Sequence, residues 1–134
     1  MSRMLFANLP VSDVNATRKF FDGLGFEFND TFSDERTACM VVNDMSMVML
    51  LEEPRFRDFI ADEICDTTKA REVLMCVSAD SRAEVDTLVD GAIAAGGTAW
   101  MQPQEEGFMY GRAFRDLDGH VWEVMWMDQS AIPG

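Results

Sequence analysis

The sequence predicts an α+β fold made of two βαβββ modules. Short runs of apolar residues at strand spacing alternate with two stretches at helical spacing. The order strand, helix, strand, strand, strand can be read twice along the chain. The segment VSD at 11–13 also has a counterpart in VSAD at 77–80, which sets the halves 66 positions apart (77 minus 11). Neither half could bury one sheet alone, so the two are expected to pair around a small, mostly apolar cavity.

Residues 4–11 (MLFANLPV) read as the first strand. Ser12 and Asp13 then offer capping side chains before Val14, Thr17, Phe20, Phe21 and Leu24 recur at helical spacing. Gly23 and Gly25 close that helix. Residues 26–51 read as three short strands, broken by polar turns at Ser33-Asp34-Glu35 and Asn43-Asp44. In residues 54–70, Phe56, Phe59, Ile60 and Ile64 fit one face of a short helix, and Asp66-Thr67-Thr68 reads as loop. Residues 72–77 (EVLMCV) form the next expected strand, and Ser81-Arg82-Ala83-Glu84 is a capping box. The helix it opens carries Val85, Leu88, Val89 and Ala92 on one face and stops at Gly96-Gly97. Strands over 98–102 and 109–115 flank a turn at 103–107, and Asp118-Gly119 signals a type I′ hairpin into a last strand over 121–127. These boundaries give module one over 1–53, a connection over 54–70, module two over 71–128 and a short tail over 129–134, within a single domain.

The chain has 134 residues, 11 Lys and Arg against 24 Asp and Glu, and a formal charge of −13, which would repel nucleic acid and anionic lipid surfaces. No apolar run approaches the length of a membrane span, and the start lacks the pattern of a secretory signal. Three cysteines without C-x-x-C spacing fit a reducing compartment, so a cytoplasmic protein is expected. Eleven methionines suit core packing first, and otherwise the walls of a permissive pocket.

Strand parity sorts the side chains that could carry chemistry. Val121, Glu123 and Met125 share one face of the last strand, with His120, Trp122, Val124 and Trp126 on the other. Glu72, Leu74 and Cys76 lie together. Through the duplication Phe6 and Asn8 become the counterparts of Glu72 and Leu74, and Leu50 becomes the counterpart of Glu123.

The pattern LPVSD-x7-FF-x2-LGF near the start, with FRDLDGHVWEV near the end, resembles the vicinal-oxygen-chelate superfamily of glyoxalases, bleomycin- and fosfomycin-resistance proteins and extradiol dioxygenases. The resemblance spans nearly the whole chain. It implies that the two modules form an open, incomplete barrel, in a homodimer. It also implies metal-ligand positions on the first and last strand of each module, which fall at Phe6, Leu50, Glu72 and Glu123. Phe6 and Leu50 offer no donor atom, Glu72 stands where metal-using relatives more often carry His, and Glu123 matches. His120 lies on the opposite strand face, beside the turn, and is expected to be exposed.

Two carboxylates alone would favour Mg²⁺ or Mn²⁺, with water or substrate completing the shell. Without metal, a close pair in an apolar cavity would keep one proton at neutral pH, shuttling it or receiving a cationic ligand. Each also has a plainer role. Glu72, after Lys69 and Arg71, fits an ion-paired strand end, whereas Glu123 between Trp122 and Val124 demands a partner or a pocket. Asn8 is expected to orient a ligand or bond to backbone. Cys76 is expected as small apolar filler, because no His is placed to activate it. The loop over 105–112 offers Phe108 and Tyr110 as a cavity rim, or as rings laid on the sheet. Trp100, Trp122 and Trp126 are assigned to the core or a dimer interface. The expected ligand-binding set is therefore Phe6, Asn8, Leu50, Leu74, Cys76, Phe108, Tyr110, Val121 and Met125, around Glu72 and Glu123.

The preferred function is binding of a small apolar or cationic molecule at a degenerate metal site, without a cofactor. The alternatives are a lyase, isomerase or dioxygenase using Mn²⁺ or Mg²⁺ on Glu72 and Glu123, and a structural or regulatory dimer subunit. Lactoylglutathione lyase activity is not expected, because the acidic chain offers an anionic glutathione adduct no clear basic cluster beyond Arg112, Arg115, Arg55 and Arg57.

Overall fold

The computed structural model describes residues 2–131, which divide into two compact units with a boundary between Cys65 and Asp66. The first unit runs β1 (Leu5–Val11), α1 (Val14–Gly23), β2 (Glu27–Phe28), β3 (Thr37–Asn43) and β4 (Ser46–Glu52), followed by a one-turn helix α2 (Glu53–Arg57). Its open sheet has the order β1-β4-β3-β2, with β1 parallel to β4 and the other pairs antiparallel.

Asp13 caps α1 as expected, accepting from the Asn15 and Ala16 amides. A long-range bond adds to it: the Val14 amide donates to Glu52 Oε2 at 3.1 Å. That contact places Glu52, and by parity Leu50 and Val48, on the α1 side of β4. Leu9, Leu50 and Ala38 lie in register across three strands and are buried together with Phe20 and Phe21 of α1. Phe21 meets Phe20 and Phe26 edge to face, with centroids 5.0 and 5.7 Å away.

The second unit repeats the plan: β5 (Leu74–Ser78), α3 (Arg82–Ala94), β6 (Thr98–Ala99), β7 (Gln104–Glu106), β8 (Met109–Arg115) and β9 (Val121–Met127). Its order is β5-β9-β8-β6, again with a parallel pair between first and last strands, and β7 lies against β8. The capping box forms in modified guise. Ser81 Oγ accepts from the Glu84 amide at 3.0 Å, while Glu84 reaches back to the Asp80 amide rather than to that of Ser81. Tyr110 and Arg112 of β8 tie α3 to the sheet, the first through Asp86 Oδ1 at 2.7 Å and the second through Asp86 and Asp90. Both units thus follow the βαβββ plan of the α+β class with open sheets, the second carrying the extra short strand β7.

Several local expectations need correction. The helix expected from Phe56, Phe59, Ile60 and Ile64 stops at Arg57, and the Phe59 ring lies exposed under the Arg55 guanidinium instead of packing inward. The turn over 103–107 is in part strand β7, which pairs Gln104 with Gly111 and Glu106 with Met109. The last hairpin is not type I′, because only Gly119 of the Asp118-Gly119 pair has a positive φ, of 81°. It is a three-residue loop instead, bracketed by the Asp116 amide bonding the His120 carbonyl and closed by the Gly119 amide on Asp116. The tail over 129–134 is described to Ala131, where Gln129–Ala131 make a 3-10 turn, and residues 132–134 lie outside the described residues. Among the described residues no helix is long and apolar enough to cross a membrane.

Candidate functional site

The sheet of the second unit has one face committed to α3 and one that is not. Tyr110 and Arg112 bond to α3, so their strand face, continued by Phe114, Trp122 and Val124 through the β8–β9 register, is the helix side. The opposite face carries the cross-strand rows Cys76, Glu123, Ala113 and Ser78, Met125, Gly111. Glu123 and Met125 therefore project where small residues flank them, and small neighbours beside tall ones leave a depression. A recess of about 200 Å³ opens there, with Leu74, Trp100, Met101 and Met125 as apolar walls and Glu123 among them. Gln102 and Gln104 add polar lining, and Arg112, whose side chain is bonded to α3, borders the recess from its strand. Gly111 leaves room here for Met125, whose Sδ would have to move aside for a Cβ at that position.

Cys76 is exposed next to Glu123. Although the residue is exposed, partial desolvation of its sulfur, and then the charge of Glu123, push its thiol above the ordinary 9.0, so it stays protonated at neutral pH and is a poor nucleophile.

Glu72 does not join this group. It precedes β5, and its Oε1 lies 2.6 Å from His120 Nδ1. His120, expected at the surface, is 1% exposed. Parity does keep it off the face of Glu123, but the loop folds it inward, where its amide donates to Asp116 Oδ1 at 3.0 Å. Asp116 is itself buried and also accepts from the Asp118 amide and from Trp122 Nε1. Burial raises its carboxyl above the ordinary 3.8, against the lowering pull of His120 and those donors. The ending DLDGHVWE therefore encodes a buried polar knot at the base of β9 and a separate carboxylate on its open face.

The family model of the Glyoxalase/Bleomycin resistance protein/Dioxygenase superfamily matches residues 3–124. The chain belongs to this superfamily. Among solved structures, the hypothetical protein SA1046 of S. aureus is 28% identical and superposes with a TM-score of 0.78, covering 94% of both chains. A glyoxalase/bleomycin resistance protein/dioxygenase family enzyme from Burkholderia phytofirmans PsJN is 19% identical, with TM-score 0.74 over 91% of this chain and 96% of its own. The fosfomycin resistance protein FosX from Mesorhizobium loti is 15% identical, with TM-score 0.63 over 97% and 93%. The search of curated proteins finds no match.

Glyoxalase-superfamily members that use a metal set the four positions assigned above, and this chain's residues do not fit one. Leu50 is 0% exposed on the α1 side of its sheet, opposite to Phe6 and Asn8, which stand exposed on the other face of β1. The matched registers explain the error. The N-caps Asp13 and Ser81, and the open-face pairs Asn8 with Met49 and Cys76 with Glu123, correspond, so Met49 and not Leu50 is the counterpart of Glu123. The alignment through VSD and VSAD was two residues short on the first strand, and Phe6 corresponds to Leu74. In the second unit the Glu72 carboxylate is turned to His120, and among the described residues no group of three His, Cys, Asp or Glu side chains could hold a metal ion.

Of the expected ligand-binding set, the structure brings Leu74, Glu123 and Met125 into one recess, with Cys76 beside them. Tyr110 points to α3, Val121 is buried, and Phe108 sits exposed at the β7–β8 turn. Trp100 was assigned to packing, yet it lines the recess, and with Met101, Gln102 and Gly111 it was missed as a site residue. It follows the two-residue strand β6, which leaves no alternation to read. Met101 adopts φ 55°, a bend that no glycine announces.

Proposed function

We propose that the chain binds a small, largely apolar molecule carrying a cationic or hydrogen-bond-donating group in the Glu123 recess, without covalent catalysis and without a resident metal. The carrying observation is the lining: four apolar walls around one carboxylate whose strand neighbours are Cys76 and Ala113. A carboxylate in such a setting attracts an ammonium more strongly than it would in water, because the walls keep the local dielectric low. The raised Cys76 thiol and the withdrawn Glu72 give no support to a nucleophilic or two-carboxylate mechanism.

Benzylamine and benzyl alcohol, nearly isosteric, separate charge recognition from apolar filling. Calorimetry should give benzylamine a Kd on the order of 1 mM, a reasonable value for so small a ligand. Benzyl alcohol should bind more weakly, and Glu123→Gln should cost benzylamine about tenfold, as loss of a charge-assisted hydrogen bond would. Equal binding of both compounds, or an unchanged benzylamine affinity in Glu123→Gln, would refute the role given to Glu123.

A further inference from the structure

Trp100 also lines a second recess of about 260 Å³, whose other walls include Thr67, Lys69, Arg71 and Arg115. That lining holds three cations and no carboxylate, in a chain with 24 acidic residues against 11 basic ones. Five other arginines are neutralised: Arg18, Arg55, Arg57, Arg82 and Arg112 pair with carboxylates. Among the described residues Arg71 and Arg115 pair with none.

Both guanidinium groups are nevertheless held in place. Arg71 Nη1 donates to the Gly119 carbonyl at 2.5 Å and Nη2 to the Thr67 carbonyl at 3.1 Å, while its Nε is buried with no hydrogen-bond partner. Arg115 Nε donates to Thr98 Oγ1 at 2.9 Å. The two guanidinium carbons lie 4.9 and 5.4 Å from the Trp100 ring centroid, so one indole keeps two like charges together. The segment bearing Lys69 and Arg71 is pinned as well, through Thr67 Oγ1 to the Asp118 carbonyl at 2.7 Å. Lys69 lies 4.0 Å from Asp66 Oδ2, but two guanidinium groups on a fixed frame without a carboxylate partner among the described residues make a preorganised receptor for an oxyanion, and the guanidinium fork matches its geometry.

We propose that this recess binds a dianionic oxyanion, of the kind a phosphate-bearing small molecule presents, with Arg115 and Arg71 as its principal contacts and Lys69 at the rim. The site is separate from the Glu123 recess and opposite to it in charge preference.

The test is a titration of ¹⁵N-labelled protein with inorganic phosphate, ionic strength held constant with sodium chloride, reading the Trp100 indole N–H assigned by Trp100→Phe. A saturable shift at millimolar phosphate is expected, weakened at least fivefold in Arg115→Gln and unchanged in Arg36→Gln, which removes a cation of the first unit. Arg71→Gln could loosen the frame, so Arg115→Gln carries the test, with circular dichroism confirming its fold. A shift that never saturates, that chloride reproduces, or that persists in Arg115→Gln overturns the proposal. Benzylamine binding is measured separately and does not depend on this outcome.

Discussion

Asp116 shows how a single buried carboxylate can organise the end of a strand. Its Oδ1 accepts from two backbone amides and its Oδ2 from the Trp122 indole. In Asp116→Asn the amide nitrogen would face a donor, either at the indole or at the backbone, and the unmet group should lower stability by about 1–3 kcal/mol. The pH dependence follows from the direction of its shift. The folded state holds the Asp116 proton more tightly than the unfolded chain does, so this stabilising term is fully present below the ordinary value of 3.8 and is lost as pH rises through the raised folded value. Thermal melts of both proteins from pH 3.5 to 7 should therefore show a gap that is widest at the acid end, and a gap widening toward neutrality would contradict the assignment. The knot was half legible. Asp116, His120 and Trp122 stand close in the sequence, but the inward fold of His120 depends on Glu72, which is 48 residues away.

At the scale of elements, local signals and long-range contacts divided the work. Caps at Asp13 and Ser81 and the helices they open could be read directly, because the donors they satisfy lie within a few residues. The β7 strand could not, since Gln104-Glu105-Glu106 has no apolar alternation and owes its pairing to β8. The two-residue error in matching the halves came from taking like residues as equivalent, where the strand registers and burial decide equivalence. A separate slip of one residue on the last strand moved the expected site from Met49 to Leu50, across the sheet. Gly111, which the sequence did not flag, makes the depression between β8 and β9 possible. Gly111→Ala should push Met125 into the recess. The thermal cost should stay near 1 kcal/mol, because a thioether can rotate away, whereas benzylamine affinity should fall several-fold in calorimetry. Undiminished affinity would mean that Met125 does not shape the site.

For the molecule as a whole, a charge of −13 sets a background of self-repulsion that the ion pairs among the described residues, several of them at the surface, offset only locally. Screening should relieve it. Raising sodium chloride from about 20 mM to 500 mM shortens the screening length from roughly 20 Å to a few ångströms. The melting temperature should rise, and a fall would show that the ion pairs outweigh the repulsion. Superfamily membership was visible in the two end motifs, but it fixes the scaffold and not the ligand. The proposed binding rests on one recess in the second unit, and the methionines report on it. The most direct measurement is a spectrum of the protein with ¹³C-labelled methionine methyls, recorded with and without benzylamine. Binding in the Glu123 recess predicts shifts at Met101 and Met125, none at the buried Met40 of the first unit, and loss of those shifts in Glu123→Gln. Shifts confined to other methionines, or the same response in the variant, would place the ligand elsewhere and contradict the account.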